Sequence, residues 1–472
     1  MDKSPGDAAV SVRAKDATWK LAQFTAGLTY ADLPPEVVSH VKWLALDSIG
    51  CALYGATLPW TRHLIDMIQA EGGTPRATVF CGGYRTSLSQ AVLANSSAAH
   101  AFEFDDTHKP SFFHPGSICF PVALACAEVE NTSSGRDLIT AMVAGYEVGT
   151  RVGMGATMSL FFRGWHPQGT TGTFVAAASA ASLLKLTPEQ TLDAIGIAGT
   201  QSAGLMSAQE GAMVKRMHSG RAAQSGIYGA LLARRGYSGI RNVVEADFGG
   251  FLTTLSDKPD PERVTQGLGT EWETMVVGFK PYPSVASIHA ALQALRELMQ
   301  ENELVADDIA ELHAGVHSMT YVHCAWEYNA HDVTAAQMNL FFGLAVIAVD
   351  GDASIHQYRE DRLRDPRLLD VIKRMKAEID PEIDAKGPGN RHAVKLTLRT
   401  RAGRTLRKEK AHSPGSPQSP LPPEQIIRKF STLAGHSLPQ AQIERLVDLT
   451  QRLERLENVD ELIEVLAQAR PT

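Results

Sequence analysis

Residues 170–184 run Thr170-Thr-Gly-Thr-Phe-Val-Ala-Ala-Ala-Ser-Ala-Ala-Ser-Leu-Leu184. The stretch carries no charge, and its only large apolar side chains are Phe174, Val175, Leu183 and Leu184. A membrane span would be richer in Leu and Ile. A helix of small side chains instead lets neighbouring backbones approach closely, which places it at the centre of a helical domain. The surroundings share this texture. Between Ala141 and Arg221 only ten of 81 residues are charged, six cations and four anions. A charge kept in such a segment is costly to bury, so each needs a partner or a ligand.

Helices are predicted on both sides of this centre. Asp137–Gly149 is amphipathic and is entered through Ser133-Ser134-Gly135, and Gly153 and Gly155 read as a helix end. Thr187–Gln201 begins with a Thr-Pro-Glu start signal, and Arg221–Arg235 follows. Nearer the N-terminus, Pro34-Pro35 opens a helix whose apolar face is Val37, Val38, Val41, Leu44 and Ile49. Before it, Asp16 or Thr18 caps a first helix, preceded by a frayed arm over 1–15. No strand-like alternation occurs before about residue 270. After Glu271 the texture changes. Asp308–His317 and Val394–Thr400 alternate like strands, Thr405–Glu409 returns as the second arm of a hairpin, and Met338–Val349 is an apolar helix. Pro414–Pro423 reads as an extended loop, and Glu424–Leu433, Leu438–Arg452 and Asp460–Ala469 are helical again. The outline is a helical part over 1–270, a smaller α+β part over 271–412, and helices over 413–472.

Composition narrows the function. The chain has 472 residues, 44% hydrophobic and 21% charged, which suits a globular protein of two or three domains. A net charge of −7 argues against a nucleic-acid partner, which would need a basic field. Five widely spaced cysteines with no CxxC read as free thiols in a reducing compartment. The polar N-terminus carries no secretory signal, so a cytoplasmic location is expected. Walker A, HExxH and GxSxG motifs are absent, and Gly153-Met-Gly155 lacks the third glycine of a dinucleotide fingerprint.

Four clusters remain that can carry chemistry. Glu103-Phe-Asp105-Asp106-Thr107-His108-Lys-Pro-Ser-Phe-Phe-His114 packs carboxylates, a hydroxyl and two imidazoles into a loop stiffened by Pro110 and Pro115. Carboxylates this close push one another's pKa values apart, which suits proton transfer, although a solvated capping loop would look similar. The DDxxD set that binds magnesium is not present. Arg163-Gly-Trp-His166-Pro-Gln-Gly-Thr170 puts His166 before a helix N-terminus, a natural anion site; a hydrogen-bonded core histidine is the bland alternative. Lys215-Arg216-Met-His218-Ser219-Gly220-Arg221 places four cationic or imidazole groups within seven residues, with Ser219 able to cap the next helix. Such a set binds carboxylates or forms a structural ion network. Lys280-Pro-Tyr282-Pro283 stands where the second part begins, as a site-closing lysine or as a hinge.

These motifs, in this order, resemble the MmgE/PrpD family. The resemblance runs from Ala22–Ala56, with its Leu46-Asp47-Ser48-Ile49-Gly50 core, through Asp105-Asp106-Thr107, Gly164-Trp165-His166, Gly204–Ala208, Met213–Arg216 and Gly220–Ala223 to Lys280–Pro283. It implies a mainly α fold, with one large all-helical domain built from N- and C-terminal segments and a smaller α+β lid domain inserted between them. It implies a homodimer that needs no metal or organic cofactor. It implies a lyase for a small di- or tricarboxylate, of the 2-methylcitrate dehydratase or cis-aconitate decarboxylase type. An epimerase of the iminodisuccinate type is the alternative, and a non-catalytic carboxylate binder is the second. By the same resemblance His114, Asp105, Thr107, His166 and Lys215 are expected to be catalytic. Glu103, Lys280, His218, Arg221 and Tyr282 are expected to bind substrate. Three places depart from the decarboxylase pattern, the first being an interval from Thr107 to His114 that is one residue longer. Ser284-Val285 stands where a histidine is expected, with the next imidazole at His289, and Phe342 stands where a tyrosine is expected, with Tyr282 or Tyr321 as substitutes.

Overall fold

The structure is a computed structural model that describes residues 17–131 and 133–471; the expected arm and Asp16 lie outside them. The longer helices are α1 (Ala17–Gly27), α2 (Pro35–Gly55), α3 (Pro59–Glu71), α4 (Leu88–Ala99), α5 (Gly116–Glu130), α6 (Gly135–Phe162) and α7 (Gly172–Leu183). They continue with α8 (Pro188–Gly199), α9 (Val214–Ala233), α10 (His289–Glu301), α11 (Leu340–Asp350), α12 (Pro423–Ala434), α13 (Gln440–Gln451) and α14 (Asp460–Gln468).

Helix α7 is the centre that its sequence predicted. All twelve of its residues are buried, and it packs against α5, α6, α8 and α9. Small residues make this possible. A Cβ on Gly226 of α9 would overlap Ala176 of α7. Gly226→Val is therefore expected to destabilise the fold by about 1–3 kcal/mol through overpacking, read as a lower urea midpoint at unchanged slope.

Capping residues set several boundaries. Ser134 and Asp137 form a capping box at the start of α6, and Thr187 and Gln190 form one at α8. Two expectations are corrected here. Gly153 and Gly155 do not end a helix. They lie inside α6, where a Cβ on Gly153 would press on Ser111, and the break falls at Thr157, with φ 58°. Thr18 is not a cap either. It sits inside α1, where its hydroxyl donates to the Glu245 carboxylate at 2.5 Å.

The chain's two ends share one core. Ile426, Phe430, Leu446 and Leu466 belong to the same buried apolar cluster as Val41, Leu44, Val92 and Ile118. A buried ion pair strengthens the join. Lys429 Nζ of α12 lies 2.6 Å from the Asp47 carboxylate of α2, donates to the Phe104 carbonyl at 2.5 Å, and sits 4.1 Å over the Phe104 ring.

The α+β part centres on a second apolar cluster, built on one sheet and on α10 and α11 and joined by Tyr54, Phe102, Phe104 and Leu433 of the helical part. The strands are β1 (Ile309–Val316), β2 (Met375–Ile379), β3 (Val394–Thr400) and β4 (Thr405–Lys410), in the order β2-β1-β3-β4. The β3–β4 hairpin matches the alternation in the sequence, and Val394, Leu396 and Leu398 point into the core. Strand β2 was not foreseen. It runs parallel to β1 at the sheet edge, and of its five residues only Met375 is buried, so it carries little alternation to read. A two-residue ladder, Thr107–His108 against Val277–Gly278, ties the two parts together beside the first cluster. Among the described residues no helix is long and apolar enough to cross a membrane.

Candidate active site

The loop 100–116 leaves α4 and is held from below. His100 caps α4 and is fully buried, and its Nδ1–H donates to the Asp105 carboxylate at 2.7 Å. Asp106 anchors the other end: its carboxyl accepts from the Gly116 N–H at 3.0 Å and from the Tyr146 hydroxyl at 2.9 Å. Burial and the neighbouring Asp105 and Asp47 push the Asp106 pKa up to about 8. Asp105 shifts the other way. Burial opposes its ionisation, but His100, His114 and Lys280 outweigh that and hold it below the usual carboxylate range.

Glu103 is the hub of the charged groups. Its backbone adopts a left-handed φ of 57°, unusual for a residue with a side chain. Lys215 Nζ lies 2.5 Å and Arg216 Nη1 3.0 Å from Oε2, while Lys280 Nζ lies 3.0 Å from Oε1. Burial alone would raise its pKa, but Lys215, Lys280 and Arg216 hold it well below the ordinary value. Three cations therefore surround one carboxylate. Burial lowers Lys215 to about 8, with Glu103 opposing and Arg216 and Lys280 reinforcing that shift.

His114 faces these cations. Its Nδ1 lies 2.6 Å from the Asp106 carbonyl, an acceptor only, so Nδ1 carries the proton and Nε2 keeps its lone pair. Thr107 Oγ1 is 3.3 Å from the same Nδ1. Gln168 fixes the backbone: its carbonyl accepts from the His114 N–H and its amide donates to the His114 carbonyl. Burial and then Lys280 lower the His114 pKa to about 4. His166 caps a single turn, Pro167–Thr170, ahead of α7 rather than α7 itself, and shares one proton with His218 across an Nδ1–Nδ1 contact of 2.8 Å. Burial and then Lys215 push His166 well below the ordinary imidazole value.

A cavity of about 960 Å³ opens over these groups. Glu103, Thr107, His114, His166, Lys215 and Lys280 line one side, and Phe161, Met319, Val322 and Trp326 are among its apolar lining. Asp105 lies just behind, with Oδ1 3.9 Å from His114 Nδ1, and His218 stands behind His166. Two expected residues are elsewhere. Helix α9 begins at Val214, so Ser219 lies inside it and does not cap it. At about 100° per residue, Arg221 then points roughly 120° away from Lys215; it is exposed and bonds Gln224. Tyr282 is buried in the α+β core, where its hydroxyl donates to Gln293 at 2.7 Å. Neither Tyr282 nor Tyr321 lines the cavity, and Phe342 is packed between Tyr328 and Tyr358. The α+β part instead presents His323, Arg391 and His392. Sequence reading missed these three, as well as His100 and Gln168. The adjacent Arg391-His392 pair in a polar loop before β3 was the available signal. Among the described residues no group of three or more His, Cys, Asp or Glu is placed to hold a metal ion.

The chain is similar to known proteins over most of its length. The MmgE/PrpD N-terminal domain matches residues 19–264, and the MmgE/PrpD C-terminal domain matches 282–455. The chain is 32% identical to a cis-aconitate decarboxylase of Aspergillus terreus over 95% of each chain. It is 31% identical to a cis-aconitate decarboxylase-like protein of Aspergillus oryzae, over 96% of this chain and 97% of that one. It is 26% identical to the Homo sapiens cis-aconitate decarboxylase, over 97% and 96% respectively.

Proposed function

The chain belongs to the MmgE/PrpD family, and from that premise we propose that it is a lyase that decarboxylates a small tricarboxylate of the cis-aconitate type. The observation that carries this reading is the convergence of Lys215, Arg216 and Lys280 on one carboxylate beside a neutral His114. Such a site has surplus positive charge for an anion and a group that exchanges protons. The α+β part serves as the lid, a homodimer is the expected assembly, and the cytoplasm is the expected location.

In this reaction the bond from the CH₂ carbon to its carboxylate breaks, and its electron pair becomes the new C=CH₂ bond. The electron pair of the old double bond takes a proton on the CH carbon, and CO₂ leaves. Lys215 and Lys280 hold the carboxylates that remain and stabilise charge developing beside them. His114 delivers the proton. Burial and Lys280 keep this imidazole neutral. A carboxylate seated at Lys280 cancels the second cause, so substrate binding draws a proton onto His114.

The sign of the pH dependence follows. The free enzyme must gain a proton on a group at about 4 and keep one on Lys215 at about 8. After correction for substrate ionisation, kcat/KM is expected to fall about tenfold per pH unit between about pH 4 and 8, and more steeply above. The neutral Nε2 lone pair of His114 also favours a second reading, in which it removes a proton from a hydroxy acid or an α-carbon. That dehydratase or epimerase would show a flat profile between about pH 5 and 7 instead. Incubation with cis-aconitate, citrate, 2-methylcitrate and iminodisuccinate in D₂O, followed by NMR, separates the three reactions. CO₂ loss with one deuterium retained on carbon supports the decarboxylase.

A further inference from the structure

Outside the Glu103 hub, one buried cation near the cavity has no acid among the described residues. Arg391 lies in the loop before β3, is 7% exposed, and borders both the main cavity and an adjoining one of about 880 Å³. Its Nη2 donates to the Lys109 carbonyl at 2.7 Å and its Nη1 to the Pro388 carbonyl at 3.4 Å. Its guanidinium carbon sits 3.9 Å from the centre of the Phe112 ring. Two neutral carbonyls and a ring orient the guanidinium without neutralising it. Burial lowers its pKa to about 9, and no carboxylate contributes to that environment. Its surroundings are cationic or imidazole, with Lys109, His323 and His392 beside it. Retaining an unpaired buried guanidinium is costly unless an anion arrives to pair with it.

We propose that Arg391 is the lid's receptor for one carboxylate of a tricarboxylate, facing the lysines that hold the other two. The assignment rests on the tricarboxylate reading above and adds a second wall to it. Lys215 and Lys280 already share Glu103, whereas Arg391 keeps N–H donors free in a planar fork that fits a carboxylate. The Phe112 ring backs the planar fork, and the Lys109 carbonyl fixes its angle. His392, whose Nδ1 lies 3.3 Å from Ser413 Oγ, stands next to it as a neutral neighbour. The site thus selects three carboxylates over two.

The test uses saturated analogues, so that binding is read without turnover. Calorimetry of the full chain measures tricarballylate against glutarate and methylsuccinate, each of which lacks one of its carboxylates. The wild type is expected to bind tricarballylate at least 10-fold more tightly than either dicarboxylate. Arg391→Met is expected to weaken tricarballylate about 100-fold while leaving the more tightly bound dicarboxylate within about 3-fold. Arg391→Lys keeps the charge but loses the fork, and should recover part of the preference. If Arg391→Met weakens all three ligands equally, Arg391 is only a clasp to the Lys109 loop and the proposal fails. It fails too if the preference survives in Arg391→Met, although the lysine site then still stands. Absence of any carboxylate binding by the wild type overturns both this assignment and the reading it rests on.

Discussion

His114→Ala is expected to lower kcat at least 100-fold while changing KM by less than about 3-fold, because positioned proton transfer contributes about 10²–10⁴-fold. Among the described residues the side chain has no ion pair closer than the 3.9 Å approach to Asp105, and its ring hydrogen bonds run through Nδ1. The lysines proposed to bind the anion are left untouched by the change. A second readout isolates the proton. Tricarballylate binding by the wild type should take up close to one proton near pH 6, seen by calorimetry in buffers of different ionisation enthalpy. The alanine variant should take up almost none. Near-normal turnover in the folded variant would remove His114 from the chemistry, and unchanged proton uptake would move the proton to His166 or His218.

Which parts of this site were legible in the sequence depended on how local each arrangement is. Glu103, Thr107 and His114 lie within one short loop, and Lys215 lies on the first turn of one helix, so their clustering survives in the linear chain. The charge-poor texture around α7 showed that such groups would be buried and would need partners. Alternation placed an α+β segment between helical ones, and the family resemblance added the expectation that it acts as a lid. Arg221 failed on helix phase: with the start of α9 read at Arg221 instead of Val214, nothing showed which way that side chain would face. Tyr282 failed because a buried hydroxyl can be satisfied by any nearby amide, here Gln293, eleven residues on. His100 sat unmarked at the end of an Ala-rich helix, and Arg391 reaches the cavity from far along the chain. His100 bonds Asp105 only five residues on, but nothing in the linear chain marks that contact, and Arg391 showed only as one half of an Arg-His pair in a polar loop.

The other large effect concerns Glu103. Glu103→Gln leaves Lys215, Arg216 and Lys280 facing a neutral amide in a buried place. Removing one partner of a buried ion pair costs about 3–5 kcal/mol, because the remaining charges stay desolvated. The variant should therefore unfold at markedly lower urea concentration. Its pH dependence has a definite sign. Lys215 titrates at about 8 in the wild-type fold against 10.5 for an ordinary lysine. Without Glu103 the shift deepens, so between the two values the unfolded chain binds more protons than the folded one. Stability of the variant should then rise with pH from about 7 to 9, and more than that of the wild type. A ligand offers the converse test. If the hub is an anion site, a bound polycarboxylate takes over the role of Glu103. Tricarballylate at 100 times its Kd adds about 2.7 kcal/mol to the folded state and should restore most of the lost stability. Glutamine in place of Glu103 with no loss of stability, or a loss that no carboxylate repairs, would mean that the three cations are satisfied by the scaffold alone.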